Sequence, residues 1–543
     1  MKSGATESSF HYLSQHYTFP ENVDVQRTTH EIIKSDKKYK IIWAHDNCDQ
    51  MGHKDLPQHV DKVDGIVCVS NWEREQFIKY NRAPAEKLHV IPNGVHEMFR
   101  PSGKPKSKTC IFFSAPHKGV APLVPIWKEV IKHHPDAKLK VFSSMSLYGD
   151  IQPGEGDNET VTGPNGLEPS PFIPVYKELK ELPGVEYSPC IDREELLSHI
   201  QDAAFYIHPN VWEETFCVSL AEAMSCGCFP ITTGMGALPE TSNWMGKYIP
   251  MSGQNTLRGW IPDETFHKNF AEEVIRALSA FDKVRDEYND ISKKISMYAT
   301  KNYNWKIISN KWKYYIDVIT KKIPIFIFER MTMDEIIFNN VYIKNDYQIK
   351  NLKSTDVVID IGAHRGSFSK LCLDLGCKNV VSFEPEKENY NLLQKNLESY
   401  SGVRTFNMAV YGHNANEVDL YSYPTKWNTG MNTLYNIKQE GYKNYSIQKV
   451  RCISLDDILN QLERVRLIKI DTEGSEFEII MNSKLLHKVN EIVGEFHNNV
   501  TSKFNINNLV SFLKNKNFTI DLEWENDCSG LFFAKNNNLN KSS

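Results

Sequence analysis

Asp360 lies inside the run Val357-Val358-Ile359-Asp360-Ile361, and Gly362 and Gly366 follow it. β-favouring residues around an acid, then glycines spaced to turn a strand sharply into a helix, point backbone N–H groups at a ligand and clear room for its atoms. Roughly 20 residues on, where a nucleotide fold places the carboxylate that holds ribose hydroxyls, the run Val380-Val381-Ser382-Phe383 ends in Glu384. Glycines and acid together predict a bound nucleoside-containing cofactor. Further on, the period of two along a strand puts Lys469 and Asp471 on one face, and Glu495 and His497 on one face of another. Strands ending at a common crevice would gather these four groups where a substrate hydroxyl should lie. The plainer account of Lys469 and Asp471 is a buried ion pair that fixes a strand end. A metal held by Asp471, Glu473 and His497 is less favoured, because no tight ligand spacing supports it.

A second set of candidates lies upstream. Glu214 and Glu222 are eight positions apart, which on a helix across Phe216–Ser225 puts both carboxylates near one face. Ala221, Ala223, Met224 and Gly227 keep the other face small enough to approach a sheet. Two solvated surface glutamates are the plainer account. Thr215-Phe216-Cys217-Val218 is too apolar for an exposed first turn, however, and carboxylates at the mouth of a parallel sheet suit polyhydroxylated ligands.

Strands alternating with helices supply the frame for both sets. Short apolar runs at Lys40–Ala44, Gly65–Ser70, Thr109–Phe113, Leu139–Ser143, Ala204–His208 and Cys228–Thr232 are separated by helix-forming segments, which predicts parallel sheets covered on both sides. Asn71 is a candidate N-cap for the helix reaching Tyr80. Residues 149–172 read as an exposed loop and 266–319 as helical, with Trp305 and Trp312 packing on one face. Breaks at Pro92-Asn93-Gly94 and Lys321-Lys322-Ile323-Pro324 divide the chain into 1–94, 95–322 and 323–543.

With 543 residues, 41% hydrophobic and 24% charged, the chain has the balance of a globular protein of several domains. A net charge of −5 gives no nucleic-acid footprint. The 11 cysteines never form Cys-x-x-Cys, which fits free thiols in a reducing compartment. There is no apolar leader and no run of about 18 apolar residues, the minimum for a membrane span. The chain reads as soluble and cytoplasmic.

Residues 41–312 resemble the retaining GT-B glycosyltransferases of family 4. The likeness rests on Trp43-Ala44-His45-Asp46, Val67-Cys68-Val69-Ser70-Asn71-Trp72, Ile91-Pro92-Asn93-Gly94-Val95, Ser114-Ala115-Pro116-His117-Lys118-Gly119 and Trp212-Glu213-Glu214-Thr215-Phe216 through Ala221-Glu222-Ala223-Met224. It implies that Glu214 bonds the donor sugar, that His45 faces that sugar from the opposite domain, and that Lys118 neutralises the diphosphate. It also implies that Glu222, Gly119, Gly236 and Ala237 hold the nucleotide of a UDP- or GDP-sugar, with Lys118 standing in for a metal. The family's N-terminal Rossmann domain is shortened here, to about 90 residues against a usual domain, and a Gly-rich first turn has no counterpart beyond Ser3-Gly4-Ala5. The acceptor side is then left to a partner chain, or the module is a remnant.

Residues 356–533 resemble the FkbM family of S-adenosylmethionine-dependent O-methyltransferases. The block Lys469-Ile470-Asp471-Thr472-Glu473-Gly474-Ser475-Glu476 is the most specific element, joined by Asn407-Met408-Ala409-Val410 and Glu491-Ile492-Val493-Gly494-Glu495-Phe496-His497. The family implies Asp360, Gly362 and Gly366 around the methionine part, Glu384 on the ribose, and Asn407 and Ala409 beside the adenine. A hydroxyl attacking a sulfonium methyl must lose its proton, so Asp471 or His497 is the base and Lys469 an orienter. His364 stands where the family has Asn, in a capping or a functional role.

The expectation is an α/β chain: GT-B-type Rossmann-like units, the first truncated, then a Rossmann-like class I methyltransferase domain. It would transfer a glycosyl group with retention and without a metal, and methylate an oxygen on a glycan or glycoconjugate acceptor. The alternative is an active methyltransferase tethered to a catalytically inactive nucleotide-sugar- or glycan-binding module.

Overall fold

The computed structural model describes residues 5–148, 156–163, 166–256, 259–328, 332–413, 415–422, 428–435, 445–498 and 504–539. Ser3 and Gly4 of the suggested first turn, and parts of the 149–172 segment, lie outside them. The chain forms two compact units, Met1–Thr320 and Lys321–Ser543.

In the first unit, one parallel sheet runs in chain order through Val23–Gln26, Tyr39–Trp43, Gly65–Cys68 and Leu88–Val90. A second parallel sheet has the order Lys247–Ile249, Phe229–Thr233, Ala203–His208, Ser107–Phe113, Lys138–Phe142, Val185–Ser188. Ala203–His208 is buried at every position, as expected of a parallel strand covered on both faces. In this second sheet the chain starts in the middle, builds outward to Val185–Ser188, then returns to the other side. The order therefore reverses between Ser107–Phe113 and Ala203–His208, the point at which the loops after neighbouring strands of such a sheet diverge.

The segment read as one helical stretch forms three helices, Glu264–Lys283, Arg285–Tyr303 and Trp305–Ile319, broken at Val284 and Asn304. Asn304 is extended (φ −62°, ψ 134°) and its side chain caps the last helix by accepting from Lys306 N at 2.8 Å. That helix folds back on the first sheet: Trp312 packs edge-on to Trp43 at 4.9 Å and to Phe19 at 5.3 Å. Trp305 and Trp312 are both buried, so their work is packing. The N-cap of Asn71–Asn81 is Ser70 rather than Asn71, since the Ser70 hydroxyl accepts from Glu73 N at 3.0 Å. Around residues 149–172, the part described includes a hairpin, Thr160–Gly163 with Gly166–Pro169. Buried Glu159 anchors it by accepting from Ser144, Ser170 and Tyr176 hydroxyls.

In the second unit a seven-stranded sheet has the order Val403–Phe406, Asn379–Phe383, Val357–Ile361, Val465–Ile470, Val489–His497, Ser529–Asn536, Phe518–Trp524. The first five strands are parallel, and Ser529–Asn536 runs antiparallel to both of its neighbours, Val489–His497 and Phe518–Trp524. Here the order reverses between Val357–Ile361 and Val465–Ile470. No helix among the described residues is long and apolar enough to cross a membrane.

Candidate functional site

Each unit places its chemistry-bearing residues at its reversal point. In the first, Lys118 follows Ser107–Phe113 in the short turn Pro116–Lys118, and Glu214 lies in the loop after Ala203–His208. Lys118 Nζ donates to Glu214 Oε2 at 2.9 Å. The loop after Phe229–Thr233 closes on Glu214 as well, since Ala237 N donates to its carbonyl at 2.7 Å. Gly236 has φ 62°, and a Cβ there would come within 2.3 Å of Glu214 O, so only glycine allows this approach. Glu214 Oε1 is buried and has no partner among the described residues.

The first sheet brings a second such residue against the loop that carries Glu214. His45 follows Tyr39–Trp43, its carbonyl accepts from Thr215 Oγ1 at 2.8 Å, and its Nε2 is buried without a partner. Burial, then Arg27 and His53, pushes its pKa down to about 3, so the ring is neutral. Two further contacts join the halves of the unit. Asn47 Nδ2 donates to Glu213 O at 3.2 Å, and the Glu240 carboxylate accepts from Asn71 N and Trp72 N at 2.8 and 3.0 Å.

The two glutamates do not share a helix. The helix is Val218–Ser225, preceded by Cys217 in a left-handed conformation (φ 70°), so Glu214 sits in the loop before it and only Glu222 is helical. Glu222 is buried and ion-paired with Arg193, whose guanidinium lies 5.0 Å from the Phe99 ring. Arg193 carried no signal in the sequence, because it belongs to the preceding helix, Arg193–Asp202.

In the second unit a cavity of about 280 Å³ is lined by Gly362, His364, Glu384 and Ala409, and also by Lys469, Asp471, Glu473 and Glu495. Gly362 (φ 72°) has no room for a side chain, since a Cβ would lie 1.8 Å from Asp471 O. Glu384 accepts from His364 N at 2.8 Å and Glu386 N at 2.9 Å, and burial pushes its carboxyl up to about 7 against these donors. Lys469 Nζ donates to Gly362 O at 2.6 Å and lies 3.4 Å from Asp360 Oδ1 and 3.9 Å from Asp471 Oδ2. Burial would lower its pKa, but Asp360 and Asp471 outweigh burial and Lys469 stays charged. Asp471 Oδ2 also accepts from the Tyr347 hydroxyl at 3.3 Å.

Four sequence expectations shift. Asp360 is fully buried behind the cavity, where it accepts from Ser369 Oγ at 2.6 Å and faces Lys469, so it positions the site rather than lining it. Gly366 is the left-handed residue (φ 95°) before helix Ser367–Asp374 and is not part of the lining. Asn407 spends its amide on the carbonyls of Glu384 and Pro385, both at 2.9 Å, and holds that loop. His497 is not a base. Burial would lower its pKa, but Glu476, Glu495 and Glu473 push it up to about 12, so the imidazolium holds its proton.

Sequence reasoning missed a ring of contacts beside the cavity. Thr429 Oγ1 has one proton, which goes to Asp334 Oδ1 at 2.6 Å. His364 Nε2, 2.9 Å from the same oxygen, is therefore the donor to it. Arg365 pairs with Asp334, and Asn389 Nδ2 donates to Thr429 O at 3.0 Å. His364 is largely buried and neutral, its pKa pushed down to about 3 by burial and then by Arg365. Nothing in the spacing of residues 334, 364 and 429 announces this meeting.

Three family models match the chain: Glycosyltransferase Family 4 over residues 25–97, glycosyl transferases group 1 over 97–294, and the methyltransferase FkbM domain over 360–520. The phosphatidylinositol N-acetylglucosaminyltransferase gpi3 subunit of Schizosaccharomyces pombe is 26% identical over 234 residues, covering 40% of this chain and 46% of that protein. This chain thus spans less than half the length of that relative. Methyltransferase sdnD of Sordaria araneosa is 26% identical, over 27% of this chain and 67% of its own. Among solved structures, a glycosyltransferase from Rickettsia africae gives a TM-score of 0.41 at 13% identity, covering 58% of this chain and 80% of that one. HepE of Anabaena, solved with UDP-glucose, gives 0.36 at 14%, covering 51% and 71%.

Proposed function

We propose that this chain, which carries glycosyltransferase domains followed by an FkbM methyltransferase domain, is a bifunctional glycan-modifying enzyme. Its first unit would transfer a glycosyl group from a UDP- or GDP-sugar with retention, and its second would O-methylate a sugar hydroxyl. The observation that carries this reading is the same in both units: buried charged side chains meet at the point where a parallel sheet reverses its strand order.

In the first unit the leaving group is a nucleoside diphosphate, and Lys118 is the cation placed to take its charge without a metal. Glu214 Oε1 and His45 Nε2, both buried and unpartnered, would take up hydroxyls of the donor sugar. Glu222 would hold the ribose and, with Gly119, Gly236 and Ala237, complete the nucleotide side. One observation favours the second reading, an inactive nucleotide-sugar-binding module. Glu214 is already bonded to Lys118 and Glu222 to Arg193, so a donor must break or share both pairs.

In the second unit the residues suit S-adenosylmethionine: Glu384 lines the cavity with a carboxylate able to accept from ribose hydroxyls, and Ala409 lies beside it. The cofactor supplies an electrophilic methyl on a sulfonium. This chain's share is to orient the acceptor hydroxyl with Lys469, take its proton on Asp471 and keep water out.

Glu384 also predicts a pH dependence. Its folded pKa of about 7 lies above the ordinary 4.5, so the folded chain holds a proton that the unfolded chain releases. Stability from this group is therefore full below the unfolded value and falls as pH rises towards 7. Ribose hydroxyls donate more strongly to the ionised form, which accepts on both oxygens, so cofactor affinity should rise, by up to about tenfold, from pH 6 to pH 8. Calorimetry across that range, with proton release measured in two buffers, checks it.

The function itself is tested by supplying S-adenosylmethionine, a panel of UDP- and GDP-sugars and simple glycan acceptors, then reading product mass and anomeric configuration. Retained glycosyl transfer plus methylation is expected. A donor that binds but is never consumed would replace this reading of the first unit with the tethered module.

A further inference from the structure

The surroundings of His497 hold more acid than proton transfer requires. Asp471 and Glu473 follow strand Val465–Ile470, His497 ends strand Val489–His497, and one ligand atom from each lies within 4.8 Å of the others. Glu476 Oε1 is 2.9 Å from His497 Nδ1, which leaves Nε2 directed at Glu473 Oε2 and Glu495 Oε1, each 3.5 Å away. A buried histidine that gives one ring N–H to a carboxylate and turns its other nitrogen towards oxygen ligands has the orientation used to hold a metal. Glu476 is wholly buried, its carboxylate is aimed at His497, and its Oε2 has no partner among the described residues. Three glutamates therefore press on one imidazole, while Lys469 is committed to Asp360 and Asp471.

We infer that Asp471, Glu473 and His497 form a divalent-cation site in the wall of the methyl-transfer cavity, oriented from behind by Glu476; the ion takes the place of the Nε2 proton that the glutamates hold on the His497 ring, and that proton is released to solvent on binding. Two carboxylates and one imidazole suit an oxygen-preferring ion such as Mn²⁺ or Mg²⁺. Metal–oxygen bonds of about 2.1 Å put ligand atoms up to about 4.2 Å apart, so the cluster contracts by a few tenths of an ångström. Glu495 is placed to add a fourth ligand. The open positions face the cavity that Asp471, Glu473 and Glu495 line, and suit the hydroxyls of a sugar. The ion would favour the alkoxide form of the acceptor, whose proton passes to the carboxylate oxygen of Asp471 that the ion leaves free. This role rests on the methyl-transfer reading of the cavity; the binding of the ion does not.

The test is to strip the full chain with a chelator and titrate it with Mn²⁺, following the electron paramagnetic resonance signal of the free ion. S-adenosylmethionine binding is measured on the same samples. One tightly held Mn²⁺ per chain is expected, lost in Glu473→Gln and weakened about 10- to 100-fold in Glu476→Gln, with both variants still binding S-adenosylmethionine. No uptake by the unmodified chain, or equal uptake by Glu473→Gln and His497→Gln, overturns the site. Uptake of Mn²⁺ without any binding of S-adenosylmethionine would keep the metal site and refute the cofactor reading, so the two fail separately.

Discussion

Asp471→Asn is expected to lower the rate of methyl transfer by about 10²- to 10⁴-fold, the usual loss of a general base, while S-adenosylmethionine binding stays close to that of the unmodified chain. The carboxylate lines the cavity, with Tyr347 OH at 3.3 Å and the Lys469 ammonium at 3.9 Å. Asn keeps the shape but cannot accept the proton. Lys469 keeps Asp360 and the Gly362 carbonyl as partners, so the strand end should hold. If Lys469 and Asp471 were only a structural ion pair, the variant would instead melt earlier and lose cofactor binding in step with activity. Single-turnover rates, calorimetry of cofactor binding and a melting curve on one preparation separate the two outcomes.

Lys118→Met should reduce consumption of the nucleotide-sugar by about 10²- to 10³-fold, the size of effect found when a preorganised charge stabiliser is removed. It also leaves Glu214, whose side chain is 5% exposed, without its 2.9 Å partner, so some loss of stability accompanies it. Lys118→Arg separates charge from geometry. It restores the counter-charge to Glu214 and with it the melting temperature, and part of the turnover returns because the guanidinium cannot reproduce a compact ammonium. Should both variants turn over donor at the unmodified rate, Lys118 has no part in the chemistry.

The frame of both units was legible because parallel strands buried on both faces are written as short apolar runs. Val357–Ile361, Ala203–His208 and Val465–Ile470 are of this kind. The glycine turn and the acid one strand later were legible because backbone sterics at Gly362 and the position of Glu384 are local consequences of the strand-turn-helix pattern. Local pattern failed at Cys217, where one left-handed residue makes the helix start late and takes Glu214 off the face it was expected to share with Glu222. It failed again at His497, since the charge of that ring is set by Glu476 on a different element, Glu476–Met481. Arg193 against Glu222, and Asp334 with Thr429 and His364, are meetings made by topology; no spacing along the chain foretells them.

Native mass spectrometry of the full chain with S-adenosylmethionine and a UDP- or GDP-sugar together tests the central claim most directly. Both ligands should be held at once, with Glu384→Ala losing the first and keeping the second, and Glu222→Ala losing the second and keeping the first. A chain that binds neither, or in which one substitution removes both ligands while the fold survives, would contradict two separate nucleoside sites, each anchored by an acid at the mouth of its own sheet.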